Sequence, residues 1–357
     1  MLIRLCRLLP QADVFTLFGQ HGGLQQALAG HTIKASYLAH LPGIDRYYRW
    51  LASLMPRAIE EFRFKGYDLV VSSSWAFAHG IHTEPGTPHL AYIHSPMRWA
   101  WDMQEEYLQR EQFQGPLRWL VQKGIDSLRQ WDKTAAERDK TLIANSEFIR
   151  ARIERCWHKD SQVIYPPVEI KPQSKSSVLH GAYISVSRLV KYKRVDLWVE
   201  AFKHLPQHRL IVVGTGPERA ALEKIAPPNV EFTGWVSDER AIELISGARG
   251  FLQASKEDFG ISVVEAQGYG IPVLAYREGG AAETVMDLDR PNPTGRLFDV
   301  LEPEAVAQDI LAFERQQFSP QDCRNNAQRF APEVFDAAIT KELHRLGMQL
   351  DVRSDAI

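Results

Sequence analysis

Two glutamates and two cations in the second half of the chain could together bind a ligand that carries a diphosphate. Glu257 lies in a loop and Glu265 lies one turn into the helix predicted to follow it, with seven residues between them. Gly260 precedes that helix, and the first N–H groups of a helix attract an anion. Arg188 and Lys193 follow a predicted strand, where cations that face such a helix form a clamp for a diphosphate. Taken singly, the same residues could be solvated surface side chains.

Two glycine-rich loops also follow predicted strands. The segment 213–218 contains two glycines, but a dinucleotide-binding fingerprint needs a third where this chain has Arg219, and it belongs after the first strand of its domain. A tight turn between strand and helix therefore accounts for this segment. The pair Gly279-Gly280 could let the backbone approach a ligand closely or could shape a turn.

A histidine stands at a comparable position in the first half of the chain. His94 follows an apolar run that predicts a buried strand at 89–93, so it would face a ligand at the carboxyl edge of that sheet. The alternative is a turn histidine whose ring bonds to the backbone, and the residues alone favour neither.

These residues need strands and helices to hold them, and the two halves of the chain show the same alternation. Short apolar runs predict buried parallel strands at 12–18, 68–72, 89–93 and 140–144 in the first half, and at 181–186, 209–213, 230–233, 250–252 and 272–275 in the second. Stretches between them predict helices at 46–64, 116–138, 195–203, 218–225, 239–246 and 261–269. This alternation predicts α/β domains whose parallel sheets are covered on both faces.

The length of 357 residues suits two domains. Tyr165 is followed by two prolines, and the polar stretch 171–177 cannot bury itself, so a linker is predicted there. We place an amino-terminal domain at 1–168, a linker at 169–177, a carboxy-terminal domain at 178–332, and a helix with a tail at 333–357. Two doubly wound domains joined in this way are expected to face each other across a cleft at the carboxyl ends of their strands.

The composition argues against several classes of function. Hydrophobic residues make up 45% and charged residues 24%, as in soluble globular proteins, and a formal net charge of −2 argues against a nucleic-acid partner. Three scattered cysteines form no CxxC pair, so neither a disulfide framework nor a zinc site is expected. The apolar runs are shorter than the about 20 residues that span a bilayer, and the opening residues lead to no cleavage site, which favours a cytoplasmic location.

The ordered motifs of the second half resemble glycosyltransferase family 4. Within residues 182–285 the sequence runs SRLVKYKRVD, VVGTGPE, FTGWVSDE and KEDFGISVVEAQGYGIPVLAYREGGAAETV. The spacing of Glu257 and Glu265 matches the paired-glutamate signature of that family. The resemblance spans nearly the whole chain and implies the α/β GT-B fold, with two Rossmann-like domains, and an enzyme that transfers a hexose with retention of configuration.

The resemblance also implies roles for individual residues. Arg188 and Lys193 would bind the donor diphosphate and neutralise it as it leaves, while Glu257 would hold hydroxyls of the transferred sugar, with His94 close by. Glu265 would accept hydrogen bonds from the ribose of the donor, and the base would lie beside Trp235 and Val236. Backbone groups near the donor would be those of Phe259, Gly260, Ile261 and Gly214. Cations and helix amides would stand in for a metal, so no metal or other cofactor is expected.

Segments of the first half resemble bacterial mannosyltransferases of O-antigen and exopolysaccharide assembly. They are YYRWLASLMPRAIEEF, GYDLVVSSSWAFAHG, YIHSPMRWAWD and IANSEFIRARI. This implies GDP-mannose as donor and a polyprenyl-diphosphate-linked glycan as acceptor, in the biosynthesis of lipopolysaccharide or another cell-surface polysaccharide. Three alternatives stay open: a UDP-sugar-dependent transferase of the same family, an epimerase that turns over the donor alone, and a non-catalytic nucleotide-sugar-binding subunit of an assembly complex.

One stretch suggests peripheral contact with the inner face of a membrane. Residues 46–57 mix arginines, aromatic residues and leucines, which can lie at a lipid interface, where a lipid-linked acceptor would be found. A helix packed on its own sheet, with ordinary surface arginines, explains the same residues equally well.

The start of the chain departs from the family pattern. A doubly wound domain opens with a strand and a glycine-rich loop, whereas residues 1–10 predict the end of a helix. The pair Gly22-Gly23 follows the strand at 12–18 and so is not that loop. We expect the first strand, its loop and part of a helix, roughly 20 residues, to be missing. Such a chain should be poorly stable or weakly active.

Overall fold

The computed structural model describes residues 1–18, 26, 28–104, 108, 115–172 and 181–348, with the backbone alone at 45 and 49. Two compact units make up the chain. One comprises Met1–Pro166 together with the chain from Phe335 onward, and the other comprises Pro167–Val334. The linker predicted at 169–177 begins inside the second unit, and its residues 173–177 lie outside the described part, as does the pair Gly22-Gly23.

The first unit contains two parallel sheets, a pair β1-β2 and a four-stranded sheet of order β3-β4-β5-β6. The strands are β1 Val14–Thr16, β2 Ile33–Ala35, β3 Val70–Ser74, β4 His89–Ile93, β5 Thr141–Ala144 and β6 Gln162–Val163. The strands predicted in this half correspond to β1, β3, β4 and β5. The pattern misses β2 and β6 because each spans at most three residues, one of them polar.

The described helices of the first unit are α1 Leu2–Leu8, α2 Ile44–Tyr47, α3 Met55–Glu60, α4 Arg98–Trp101, α5 Gly115–Glu137 and α6 Glu147–Trp157. Local sequence explains the ends of α6. The hydroxyl of Ser146 accepts the Ile149 N–H at 3.0 Å, and Glu147 places negative charge in the first turn. His158 ends the helix in the left-handed conformation.

The single helix predicted at 46–64 is wrong. The structure has α2, then a 3-10 segment Tyr48–Leu54, then α3, which ends at Glu60. Pro56 has no N–H to donate to the carbonyl four residues earlier, so the α-helical ladder is interrupted and restarts with Pro56 in its first turn. Beyond Glu60 the chain leaves the helix, and Phe62 and Phe64 pack their rings around Phe15, with centroids 5.2 and 4.9 Å away.

Within the four-stranded sheet, β4 is buried on both faces. Alternate residues of β4 point to opposite sides, so Leu90 and Tyr92 pack against the carboxy-terminal helix Pro332–Arg345, while Ala91 and Ile93 pack against α6. This is why residues 90–93 of β4 form a continuous apolar run, and the predicted bounds of the strand match the structure.

The second unit is one six-stranded parallel sheet of order β12-β11-β10-β7-β8-β9. Its strands are β7 Tyr183–Val186, β8 Leu210–Val213, β9 Val230–Gly234, β10 Gly250–Gln253, β11 Val273–Tyr276 and β12 Gly295–Phe298. The chain lays down β7, β8 and β9 towards one edge and then returns to place β10 on the other side of β7. This is the Rossmann order, and its reversal between β7 and β10 is where such sheets bind ligands.

Helices cover both faces of this sheet within the described residues. They are α7 Val195–Ala201, α8 Arg219–Ile225, α9 Asp238–Ser246, α10 Ile261–Gly268, α11 Ala281–Thr284, α12 Pro303–Glu314 and α13 Pro320–Ala327, followed by α14 Pro332–Arg345, most of which packs on the first unit. One core is formed with α7 and α12, and the other with α9 and α10. No helix in the described ranges is both long and apolar enough to cross a membrane.

A buried polar cluster fixes the helices around β3 in the first unit. Asp132 of α5 is fully buried and accepts the indole N–H groups of Trp101 and Trp157 at 2.8 and 2.7 Å. His79 lies 3.3 Å from the other carboxylate oxygen and 3.2 Å from the Ser74 hydroxyl at the end of β3. Burial raises the pKa of Asp132 to about 7 and lowers the pKa of His79 to about 3.

We expect the Asp132→Asn variant to change how stability depends on pH. Between about pH 4 and 7 the folded protein keeps a proton on Asp132 that the unfolded chain releases, so this carboxyl loses its stabilising contribution as pH rises through that window. Neutral His79 acts in the opposite direction below pH 6.5, because the unfolded chain binds a proton there that the folded protein does not. The variant removes the effect of Asp132 and keeps that of His79. The free energy of unfolding of the variant, minus that of the natural protein, should therefore rise by on the order of 1–4 kcal/mol as pH rises through this window.

Thermal melting of both proteins from pH 5 to pH 8 measures this difference. Asp126→Asn is the matched control, since Asp126 lies on the same helix with its side chain 46% exposed. A difference between Asp132→Asn and the natural protein that stays constant with pH would contradict the prediction.

Candidate functional site

The candidate site of the second unit lies where the sheet order reverses. Lys193 comes from the loop after β7, and Glu257 comes from the loop after β10. Because β7 and β10 are hydrogen-bonded neighbours and parallel, their carboxyl ends meet, which brings together two residues that are 64 positions apart in the chain.

Lys193 and Glu257 form an ion pair in which the ammonium group donates to Oε1 of the carboxylate. The same oxygen also accepts from the amide of Gln253 at 3.1 Å and from the hydroxyl of Ser255 at 2.7 Å. The two side chains are 18% and 17% exposed, so the pair is shielded yet reachable by a ligand. An ammonium group has three N–H donors, and this ion pair uses one of them.

Gly279 and Gly280 pack against the loop that carries Glu257. The Gly280 N–H donates to the Glu257 carbonyl at 2.9 Å. A Cβ on Gly279 would lie 2.5 Å from that carbonyl, and one on Gly280 would lie 2.3 Å from the backbone of Phe259. These glycines therefore let two loops of the protein touch.

The glycines after β8 have a similar role for the other half of the site. A Cβ on Gly214 would lie 2.0 Å from the Ser187 carbonyl, and one on Gly216 would lie 2.1 Å from the Leu189 carbonyl. The Leu189 N–H also donates to the Thr215 carbonyl at 2.8 Å. Residues 214–216 thus pack against the backbone on both sides of Arg188, which agrees with the interpretation of this segment as a tight turn.

Arg188 is exposed at the surface of this loop. Within the described residues its side chain makes no hydrogen bond or ion pair, so its guanidinium group is available to an anionic ligand. Among the described residues, no hydrogen bond or ion pair joins Arg188 to Glu257.

The helix α10 starts next to the ion pair. Gly260 takes a left-handed backbone conformation, φ 91°, to turn the chain into Ile261. Phe259 is buried and packs edge-to-face on Phe330, with ring centroids 5.3 Å apart, so its side chain belongs to the core. Any contact of Phe259 with a ligand would come from its backbone.

A buried amide network fixes α10, and sequence reasoning did not find it. Gln267 of α10 donates to the Thr284 carbonyl at 2.8 Å, and Asn326 donates to Gln267 and to the same carbonyl at 2.6 and 2.8 Å. All three residues are buried. A short polar run such as 320–327 gives no apolar signal that would predict this role.

Glu265 lies one turn into α10, which begins at Ile261. Burial raises the pKa of its carboxyl, and the positive charge of Lys171 partly opposes this. Lys171 itself is paired with Asp238 at 2.6 Å. The structure therefore places Glu265 in a partly desolvated position beside a charged pair, apart from the contacts of Glu257.

The residues after β9 lie towards the edge of the sheet. Trp235 is 79% exposed, which makes its ring available for stacking. Val236 is partly buried and packs against the core that includes α9 and α10. Of this pair, Trp235 presents the larger free surface.

His94 belongs to the first unit and follows β4. Its Nε2 lies 3.0 Å from the Ser73 hydroxyl, and its ring packs edge-to-face on Tyr92 at 5.2 Å. Burial lowers the pKa of His94 to about 4, so the imidazole is neutral at pH 7. It can donate or accept a hydrogen bond, and it is a poor source of positive charge.

The second unit thus presents a cation, a carboxylate and a helix N-terminus at one edge of its sheet. Such a set can bind an anionic leaving group while holding hydroxyls beside it. Among the described residues, no group of three or more histidine, cysteine or acidic side chains is arranged to hold a metal ion.

Two models of protein families match the chain. The model described as Glycosyltransferase Family 4 matches residues 1–171, and the model described as Glycosyl transferases group 1 matches residues 169–330.

Two relatives with assigned functions are similar to this chain in sequence. The alpha-1,3/1,6-mannosyltransferase ALG2 of Kluyveromyces lactis is 25% identical over 257 residues, covering 57% of this chain and 48% of that protein. The GDP-mannose-dependent alpha-mannosyltransferase of Mycobacterium tuberculosis is 28% identical over 223 residues, covering 61% of this chain and 51% of that protein. The chain thus spans about half the length of these relatives.

The fold is also that of a known structure. HepE of Anabaena, solved in complex with UDP and glucose, aligns over 96% of this chain and 94% of its own with a TM-score of 0.63 and 19% identity. That alignment extends through both units, and the two family models together account for residues 1–330, so the chain belongs to glycosyltransferase family 4 and has the GT-B fold.

Proposed function

We propose that this protein is a retaining glycosyltransferase that moves a hexose from a nucleoside-diphosphate donor to an acceptor. The observation that carries the proposal is the Lys193–Glu257 pair beside the N-terminus of α10, at the point where the sheet order reverses. A nucleotide sugar has a diphosphate next to a ring of hydroxyls, which is the arrangement that a cation beside a carboxylate can bind.

In the proposed reaction, the bond between the anomeric carbon and the diphosphate breaks while the acceptor oxygen attacks from the same face. Negative charge grows on the departing diphosphate, where Lys193 and Arg188 stabilise it together with the first amides of α10. The departing phosphate oxygen takes the proton of the acceptor hydroxyl. Glu257 accepts hydrogen bonds from sugar hydroxyls, and its position is fixed by Gln253 and Ser255.

His94 contributes a neutral hydrogen-bonding group in this proposal. Its low pKa keeps it uncharged, so it would suit a sugar hydroxyl better than a diphosphate. Ser73 fixes the orientation of its ring.

The proposed donor is GDP-mannose. Support comes from the name of the Mycobacterium tuberculosis relative, which is a GDP-mannose-dependent alpha-mannosyltransferase, and from the mannosyltransferase ALG2. A UDP-sugar is the second candidate, because HepE, with the same fold, was solved with UDP and glucose. The exposed ring of Trp235 would stack on either base, and Glu265 would accept from the ribose.

The proposed acceptor is a polyprenyl-diphosphate-linked glycan used to build a cell-surface polysaccharide, reached at the cytoplasmic face of the membrane. The surface of the first unit supports this. Tyr47, Trp50 and Leu54, all within the segment 46–57, are 51%, 65% and 43% exposed. Arg46 and Arg57 flank them and suit anionic lipid headgroups.

Substitution of Lys193 or Glu257 should abolish most turnover. Lys193→Ala removes a donor to the departing diphosphate, and Glu257→Gln removes the charge that holds the ammonium in place. Each should lower kcat by about two or more orders of magnitude, the loss typical of one transition-state donor. Release of GDP from GDP-mannose with extracted lipid-linked acceptor gives the rate.

Parallel reactions with EDTA test the proposed absence of a metal, and loss of activity on chelation would overturn that point.

Lys203→Ala is the matched control for this experiment. Lys203 also forms an ion pair, with Glu200 at 2.7 Å, but both side chains are more than a third exposed and lie away from the carboxyl edge of the sheet. Its removal should leave turnover unchanged. Near-normal turnover in either Lys193→Ala or Glu257→Gln would show that the site is assigned wrongly, whereas donor binding without turnover in the natural protein would indicate a non-catalytic subunit.

Nucleotide binding distinguishes the two donors. A ligand at concentration L that binds the native state alone stabilises it by RT ln(1 + L/Kd), so at equal concentration the tighter ligand raises the melting temperature more. We expect GDP and GDP-mannose to stabilise the protein more than UDP and UDP-glucose do at equal concentration. An equal or larger response to the uridine compounds would favour the UDP-sugar alternative and leave the fold assignment intact.

Flotation with vesicles tests the membrane contact. The protein should float at low salt with vesicles that contain an anionic phospholipid and remain below with neutral phosphatidylcholine vesicles. Trp50→Ala with Leu54→Ala should abolish flotation because the apolar anchor is removed. Trp235→Ala, which alters a still more exposed indole of the second unit, should float normally. No binding of the natural protein to anionic vesicles would rule out this surface.

A further inference from the structure

Trp75 is an exposed indole in an otherwise buried part of the first unit. Its side chain is 64% exposed, whereas Ser74, Ala76 and Phe77 around it are 1%, 3% and 6% exposed. Burial of a tryptophan side chain normally stabilises the folded protein. Trp75, exposed between packed neighbours, does not contribute that stabilisation. Those neighbours also fix the backbone on both sides, which holds the indole in place at the surface.

Trp75 stands at the carboxyl edge of the first unit's sheet, beside His94. It follows the last residue of β3, and His94 follows the last residue of β4. Ser74 pairs with Ile93 in the parallel register, so the next position on each strand is Trp75 and His94 respectively. The His94 N–H donates to the Ser74 carbonyl at 2.7 Å, which extends the pairing to this point.

Two polar side chains, of Ser73 on β3 and of His94 after β4, belong to the same edge of the sheet. The Ser73 hydroxyl and the His94 ring are hydrogen-bonded to each other at 3.0 Å and are both partly exposed. A hexopyranose has one face of C–H groups and a rim of hydroxyls. Such a ring can place its apolar face on an indole and its hydroxyls on neighbouring polar groups.

We propose that Trp75 is a stacking platform for a hexopyranose ring of the acceptor glycan. The proposal rests on the proposed function, because it requires a glycan acceptor and places one of its sugar rings on the first unit. A lipid surface fits Trp75 less well than it fits the segment 46–57, since the residues next to Trp75 in the chain are buried and provide no continuous apolar patch.

Binding is measured without any transfer reaction. The indole N–H groups of the ¹⁵N-labelled full chain are followed by NMR during titration with methyl α-mannopyranoside, methyl α-glucopyranoside and methyl α-galactopyranoside. The Trp75 signal is identified as the one that Trp75→Phe lacks. We expect at least one sugar to shift that signal while the signals of Trp50 and Trp235 stay unchanged. A Trp75 signal that responds to no sugar, or that responds to GDP instead, would overturn the proposal.

Kinetics supply the second measurement. Trp75→Ala should raise the KM for the lipid-linked acceptor by about tenfold and leave the KM for the donor unchanged, and Trp75→Tyr should restore it because a flat ring is retained. Because Trp75 is exposed, its replacement should leave the melting temperature unchanged, and Trp50→Ala should not alter the KM for a detergent-dispersed acceptor. A normal acceptor KM in Trp75→Ala would overturn the platform while the transferase assignment stands. Sugar binding at Trp75 in a protein that shows no transfer would support the platform and overturn the transferase assignment.

Discussion

The contact between Lys193 and Glu257 is the constraint on which the rest of the second unit depends. A shielded ion pair contributes little to stability, since desolvation of two charges offsets much of their attraction. The pair matters because it fixes the positions of the ammonium group and the carboxylate. Glu257 holds the ammonium group where a diphosphate would lie, and Gln253 and Ser255 hold Glu257 by the same oxygen. An arriving diphosphate would meet a cation that is already oriented, so little reorganisation would accompany the development of charge.

Backbone contacts supply the rigidity that this pair requires. Four glycines at the carboxyl edge bring loops within distances that any side chain would prevent: Gly214 and Gly216 against the loop of Arg188, and Gly279 and Gly280 against the loop of Glu257. These contacts hold each loop of the candidate site against its neighbour by main-chain atoms, which cannot change rotamer. The buried amides of Gln267 and Asn326 do the same for the helix behind the loop. Substitutions at these positions would therefore disturb the site without touching a ligand.

How far the sequence predicts this arrangement depends on whether a feature is local or long-range. Strands such as β4 and β8 follow from continuous apolar runs, and the site loops follow because they come directly after those strands. The strand β12 lacks that signal, since Arg296 lies within its four residues and pairs with Asp309. The position of Pro56 could have predicted the break in the helix at 46–64. Asp132, with its partners 25 to 53 residues away, could not have been predicted, because nothing local marks a carboxylate as buried.

The same distinction applies to the two ends of the proposed donor. In the proposed site, the diphosphate and the sugar would meet residues from the loops after β7 and β10, whose backbones are packed against neighbouring loops. The base would meet Trp235, which follows the edge strand β9 and is largely exposed. An exposed indole offers a flat apolar surface to any base and no donor or acceptor pattern that separates guanine from uracil. Discrimination between the two must then come from backbone groups near Trp235 or from the sugar at the other end of the donor. Base selectivity in this fold would therefore be modest relative to the binding of the diphosphate.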